Sequence, residues 1–206
     1  MKANSLIEYC LKSYLMSELK AHLKISATTT TIEGILILEP KVFGDERGWF
    51  MESFNNQDFF HATGLKVAFV QDNHSFSRQA TLRGMHYQLE KTQGKLVRVI
   101  SGAVFDVSVD LRKSTSTFGK WFGIELTADN RKQLWIPPGL AHGFLVLSPT
   151  AEFLYKTTDY YDPQSEVCLA WNDPTVAIQW PLLSGAIPNL NARDSAGLSW
   201  INAPKF

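Results

Sequence analysis

Ala103-Val104-Phe105-Asp106-Val107-Ser108-Val109-Asp110-Leu111 alternates without a break. Ala103, Phe105, Val107, Val109 and Leu111 fall on one side, and Val104, Asp106, Ser108 and Asp110 on the other. Successive side chains of a strand point to opposite faces, so this is the pattern of a half-buried antiparallel strand. Similar signals continue on both sides of it. Downstream, Phe122, Ile124 and Leu126 alternate, and Leu134 and Ile136 flank Trp135 before Pro137-Pro138-Gly139. Residues 144–147 and 152–157 read as two more strands. Upstream, Gln93-Gly94-Lys95 opens the strand Leu96-Val97-Arg98-Val99, and an apolar run over 35–38 ends at Pro40. Ala128-Asp129-Asn130 and Leu147-Ser148-Pro149 are turn signals between them. Many short strands with this punctuation predict an all-β sandwich or barrel. Long helices do not alternate with strands, which argues against a parallel α/β sheet.

The edges of the pattern are less regular. Asp45-Glu46-Arg47-Gly48 reads as a turn before a short aromatic strand over 49–54. Residues 57–63 read as a helical turn stopped by Gly64, and 67–70 as an apolar strand leading into Gln71-Asp72-Asn73-His74. Thr28 to Thr31 read as a linker. Before it, Leu6, Ile7, Leu11, Tyr14, Leu15, Leu19 and Leu23 recur at roughly helical spacing. Residues 1–28 are therefore expected to be an extension, helical or partly disordered, and 29–206 the main domain. From Asp173 onward the chain is irregular, with Pro174, Pro181, Pro188 and Pro204. Such a segment wraps a body and can carry polar groups over a barrel mouth.

Composition narrows the function. A 206-residue chain with 45% hydrophobic and 19% charged residues can bury a core without disulfides or a structural metal. Twenty basic against twenty acidic residues argue against a nucleic-acid binder, whose affinity rests on phosphate neutralisation. Glu8, Lys12, Glu18 and Lys20 interrupt the N-terminal apolar residues, so no signal peptide is expected. No run is long enough to span a bilayer. Cys10 and Cys168 are too few for a disulfide scaffold. They read as reduced thiols of a cytoplasmic protein.

Polar residues cluster where a structural strand would be plain. Leu82-Arg83-Gly84-Met85-His86-Tyr87-Gln88 holds an Arg, a His and a Tyr in one run. Ala141-His142-Gly143 follows a turn, and Tyr155-Lys156-Thr157-Thr158-Asp159-Tyr160-Tyr161 closes a strand. Taken singly, His74 and His142 read as solvated or satisfied structural histidines, and His86 as the better functional candidate. No H-x-H pair occurs, which speaks against a first-row metal site of the usual jelly-roll kind. Arg83 and His86 are oddly spaced, so they share a site only if Gly84 bends or bulges the strand, or if Arg83 lies before the strand starts.

In order, Lys41-Val42-Phe43-Gly44-Asp45-Glu46-Arg47-Gly48, Phe69-Val70-Gln71-Asp72-Asn73-His74-Ser75, the Arg83–His86 run, Gln93-Gly94-Lys95-Leu96-Val97-Arg98, Gln133-Leu134-Trp135-Ile136-Pro137 with Gly139 to Phe144, and Glu152-Phe153-Leu154-Tyr155-Lys156 resemble the motifs of the dTDP-4-dehydrorhamnose 3,5-epimerases. The resemblance runs from about residue 31 to about residue 200. It implies a cupin-type jelly roll that pairs as a homodimer, working without metal or redox cofactor. It implies a substrate, dTDP-4-dehydro-6-deoxy-D-glucose, converted to dTDP-4-dehydro-L-rhamnose by epimerisation at C3 and C5. A relative acting on one carbon, or shifting the ketone, would use the same scaffold.

By that resemblance His86 is the base, paired with Asp194, and Tyr155 is the acid from the other face. Imidazole titrates near neutrality, which suits it to accept a proton. Lys95 would stabilise the enolate oxygen. Arg47 and Arg83 would meet the diphosphate. Glu52, Gln71, Asp72, Asn73, His142 and Glu166 match other nucleotide-sugar contacts, and Phe50 and Tyr161 offer aromatic surface for thymine. Arg193 stands where the family often has Lys. This keeps the charge but exchanges a point charge for a planar fork.

Overall fold

The computed structural model describes residues 24–182 and 186–206. The expected N-terminal helix lies outside the described residues. Thirteen strands are present: β1 (Ile25–Thr29), β2 (Leu36–Pro40), β3 (Phe43–Asp45), β4 (Gly48–Phe50), β5 (Gln71–Arg78), β6 (Leu82–Gln88), β7 (Lys95–Ser101), β8 (Ala103–Asp110), β9 (Trp121–Thr127), β10 (Gln133–Ile136), β11 (Leu140–Val146), β12 (Thr150–Thr157) and β13 (Glu166–Cys168). Two short helices, α1 (Asn56–Thr63) and α2 (Ala192–Ser195), complete the elements of the described residues. The order β1-β2-β10-β7-β12-β5 forms one sheet and β13-β6-β11-β8-β9 a second. The chain divides into a larger unit, residues 28–38 and 68–206, and a smaller one, residues 1–27 and 39–67.

In the larger unit the two sheets face each other. Val97, Val99, Leu134, Ile136 and Phe153 of the first meet Val104, Leu126, Phe144 and Val146 of the second. This is the cupin-type jelly roll, antiparallel in its sheets and closed around one interior.

The alternating strand forms as β8, but the half-buried expectation needs correcting, because neither face is solvated. Its even residues point inward, with Val104 in the inter-sheet core and Asp106, Ser108 and Asp110 fully buried. Val107 and Val109 point outward, into a second apolar cluster with Met85, Tyr87, Leu111, Ala141 and Leu169. The C-terminal segment covers that cluster through Val176, Ile178, Trp180, Trp200, Ala203 and Phe206. Each aliphatic side chain so covered contributes about 1.5–3 kcal/mol. Local alternation cannot report a cover supplied some 70 residues later. Asp110 is tolerated inside because Arg112, Thr115 and Thr117 all donate to it.

Three other expectations shift. Thr28 and Thr29 lie in β1 and not in a linker, since β-branched residues favour the pleated backbone. The apolar run 67–70 is not a strand; β5 begins where it ends, at Gln71. The aromatic strand over 49–54 is confined to β4.

Within the smaller unit, β3 and β4 pair as a hairpin, with Asp45 opposite Gly48 across the Glu46-Arg47 turn. The Asp45 carboxylate accepts from the Arg47 backbone N–H (2.9 Å) and from its guanidinium. Phe43, Trp49 and Phe50 are exposed. Helix α1 starts at Asn55, whose side chain caps Gln57 and Asp58, and stops at Gly64 in the left-handed region (φ 74°). Glu52 is paired with Lys24 at 2.6 Å.

Candidate active site

Arg83 and His86 reach one interior because β6 is bulged. His86 stands opposite His142 and Arg83 opposite Phe144, so Gly84 and Met85 together oppose the single residue Gly143. Gly84 has φ 130°, and a Cβ there would lie 2.6 Å from Gly143 Cα. A Cβ on Gly143 would lie 2.6 Å from the Arg83 carbonyl oxygen. Only two facing glycines let the backbones approach this closely. The peptide between Gly84 and Met85 is cis. Past the bulge, Met85 is turned into the outer apolar cluster and His86 inward.

These side chains line a cavity of about 320 Å³ between the sheets of the larger unit. From the five-stranded sheet come Arg83, His86, His142, Phe144 and Glu166; from the six-stranded sheet come Gln71, Asn73, Lys95, Phe153 and Tyr155. Tyr161, Arg193 and Asp194 join from the connecting and C-terminal segments. Register explains the six-stranded wall. Tyr155 lies opposite both Asn73 and Val97, and Thr157 opposite both Gln71 and Lys95, so alternate residues share the inner face.

His86 Nε2 lies 2.6 Å from Asp194 Oδ1. Asp194 sits in α2, whose Asn191 cap accepts from the Asp194 backbone N–H at 2.8 Å. The preceding segment is tied to the start of β6: Leu82 N–H donates to Asn189 O, and Asn189 N–H to Ala80 O. The aspartate is thereby held at 1% exposure against the histidine. The contact engages one of the two imidazole nitrogens.

A second pair lies beside it. His142 Nε2 is 2.9 Å from Asp106 Oδ2, both buried. Burial pushes the Asp106 carboxyl up and the His142 imidazole down, each opposed by its partner. Lys95 is lowered to about 8, chiefly by burial, with Glu166 and Asp106 resisting the fall. Burial, then the charge of Glu166, raises the Tyr155 phenol. Below these groups Phe144 stacks on Phe153 (4.3 Å between centroids), and Phe153 also contacts His142 and Tyr155.

At the mouth, Glu166 accepts from Tyr161 Oη at 2.7 Å and is ion-paired with Arg193. Gln71 donates to Asn73 Oδ1 (2.9 Å), and Asn73 Nδ2 is buried without a partner among the described residues. Arg83 donates to Ser77 Oγ at 3.0 Å.

The cavity thus collects His86, Asp194, Tyr155, Lys95, Arg83, Gln71, Asn73, His142, Glu166 and Arg193. Asp72 faces the other way. It lies opposite Lys156, which holds it at 2.9 Å on the outer face, because a strand of period two cannot turn three consecutive residues inward. Arg47, Glu52 and Phe50 belong to the smaller unit described above. Asp106 was missed by sequence reasoning. Its signal was a carboxylate within the alternating strand, which read as solvent-facing.

A base and a phenol on opposite walls, with a lysine between strands and guanidinium groups nearby, define an acid–base isomerase on a jelly-roll scaffold. The sequence pattern of the family described as dTDP-4-dehydrorhamnose 3,5-epimerase matches residues 29–201. The chain belongs to that family. Among its relatives, the dTDP-4-dehydrorhamnose 3,5-epimerase of Pseudomonas aeruginosa is 52% identical over 182 residues, covering 88% of this chain and 99% of that protein. The enzyme of the same name from Escherichia coli is 60% identical over 159 residues, covering 77% and 86%. The crystal structure of dTDP-6-deoxy-D-glucose-3,5-epimerase from Legionella pneumophila, in complex with dTDP-4-keto-L-rhamnose, has a TM-score of 0.81 and 49% identity. It covers 84% of this chain and 91% of that one.

Proposed function

We propose that the protein inverts C3 and C5 of dTDP-4-dehydro-6-deoxy-D-glucose to give dTDP-4-dehydro-L-rhamnose, the step that commits the sugar to rhamnose synthesis. The observation that carries this reading is the placement of His86 and Tyr155 on opposing sheets around one cavity. Inversion needs a proton taken from one face of the ring and another delivered to the opposite face.

The C4 ketone acidifies both neighbouring C–H bonds. His86 removes the proton, and the electron pair of the C–H bond moves through the new C=C bond onto the C4 oxygen. The Lys95 ammonium stabilises that oxyanion in a water-poor site. Asp194 balances the imidazolium. Tyr155 then protonates the carbon from the other wall as the carbonyl re-forms. A raised phenol pKa keeps it the donor form at neutral pH.

Arg83 and the free Asn73 Nδ2 suit oxygens of a sugar diphosphate. Tyr161, held by Glu166 and Arg193, offers a ring face for thymine, and His142 a contact for the sugar. Arg47, Glu52 and Phe50 are assigned to the nucleotide by resemblance. Pairing as a homodimer is supported by the exposed aromatic hairpin of Phe43, Trp49 and Phe50. No helix among the described residues is long and apolar enough to cross a membrane. We assign the protein to the cytoplasm, where its nucleotide-sugar substrate would be made.

Proton NMR of the substrate incubated with the protein in D₂O tests the reading. The expected result is deuterium at both C3 and C5, with capture of the L-rhamnose configuration by a reductase. Exchange at C3 alone would reassign the protein as a single-site epimerase, and no exchange would overturn the proposal.

A further inference from the structure

Cys168 takes no part in this chemistry, yet it stands directly opposite His86 across the β13–β6 pairing. Directly paired residues project to the same face, so the thiol is turned toward the His86–Asp194 pair. One donor atom from each of His86, Cys168 and Asp194 lies within 4.8 Å of the other two. Asp194 is buried, and the other two are half-buried.

Imidazole, thiolate and carboxylate are the three ligand types that zinc accepts. Bonds of about 2.0–2.3 Å in a tetrahedron put its ligand atoms about 3.3–3.8 Å apart. The thiol therefore needs to close by about an ångström, and the 2.6 Å His86–Asp194 contact to open by somewhat less. Three protein ligands leave a fourth position for water, the arrangement of an open zinc site.

We propose that His86, Cys168 and Asp194 form an inhibitory site for a thiophilic divalent cation such as Zn²⁺. The inference rests on the reading of His86 as the base. The ion takes the Nε2 lone pair, the imidazole proton moves to Nδ1, the nitrogen that would have accepted from the sugar, and the thiol proton leaves to solvent. With its nitrogen and its aspartate both committed to the ion, His86 can no longer accept a proton from the sugar. The site is an off switch on the proton-transfer pair and not a cofactor centre.

Cobalt titration separates this proposal from the catalytic one, because it reads the metal and not turnover. Cys10→Ser is introduced throughout, so that Cys168 is the only thiol. Cobalt(II) is added to this protein and to the same protein carrying Cys168→Ser, Cys168→Ala or His86→Asn, each checked for an unchanged melting temperature. The parent should develop a thiolate-to-cobalt charge-transfer band that saturates at one equivalent and is displaced by Zn²⁺. Both Cys168 variants should lose the band, and His86→Asn should bind cobalt more than about a thousandfold more weakly, beyond the roughly ten- to hundredfold that loss of an outer partner produces. In parallel, Zn²⁺ should inhibit deuterium exchange into the substrate, EDTA should restore it, and Cys168→Ser should blunt the fractional inhibition. No band in the parent, a band surviving in both Cys168 variants, or unchanged affinity in His86→Asn would each overturn the site. A protein that binds cobalt as described but shows no exchange would keep the site and remove only its inhibitory meaning.

Discussion

The cavity holds two histidine–carboxylate pairs whose histidines face each other across β6 and β11. In the first, His86 is 20% exposed and lines the wall, and its partner Asp194 arrives from the C-terminal segment. In the second, His142 and Asp106 are 8% and 0% exposed, and both come from the sheet itself. The pair distances, 2.6 and 2.9 Å, hardly differ. Access does. A pair with one open nitrogen can pass a proton to a ligand and recover it. The second pair is almost wholly buried, with only His142 bordering the cavity, and it acts as a fixed partner for its surroundings, here Lys95 and the aromatic floor. The same two side chains therefore do different work according to which part of the fold supplies the carboxylate.

Replacing the open pair's histidine should have the largest effect. His86→Asn is expected to lower kcat about a thousandfold, within the range of general acid–base catalysis, and to abolish deuterium exchange. Its melting temperature should stay close to that of the parent, which differential scanning fluorimetry would check.

Lys95 comes next. Lys95→Met should cost about a hundredfold in kcat, the scale of one oxyanion-stabilising group. The parent's pH dependence sharpens the point. Its lysine is lowered to about 8 in the folded protein from an ordinary 10.5. Above about 8 the folded state releases this proton while the unfolded state keeps it, so this group makes stability rise with pH up to about 10.5. Activity should move the opposite way and fall through the same value, as the enolate loses its cation. Lys95→Met should flatten both trends, in denaturant melts and in rate profiles.

The sealed pair should give the smallest effect. Asp106→Asn is expected to cost about tenfold, felt more in KM than in kcat if His142 serves binding. It should also move the alkaline limb of the rate profile to lower pH, because Asp106 helps to keep Lys95 charged. A loss as large as that of His86→Asn would erase the distinction between the pairs.

How much of this was legible in the sequence depended on whether the cause was local. Period-two alternation located β8 and β9, and Gly64 located the end of α1. The odd spacing of Arg83 and His86 left a bend or bulge at Gly84, or an Arg83 outside the strand, and the register shows the bulge with Arg83 inside β6. What could not be read came from distant parts of the chain. Asp106 looked solvated because nothing nearby announces the opposite sheet or His142, 36 residues on. His142 looked like a turn residue, but β11 extends back through it, paired on both sides. Asp72 carried the motif's identity, while the pleat turned it toward Lys156. Motif matching reports which residue types recur and is blind to which side of a sheet they occupy.

The two residues of β6 that face one residue of β11 amount to a change of parity. Before Gly84, odd-numbered Arg83 points inward; after it, even-numbered His86 does. With the same residues paired one for one, Met85 would stand opposite His142, and the imidazole would turn outward among Val107 and Leu169 while the hydrogen-bonded ladder closed neatly behind it. Losing the bulge in that way would leave a well-formed sheet with its chemistry facing the wrong compartment. The extra residue at the Gly84–Gly143 contact is therefore a discrete setting of which face carries the histidine.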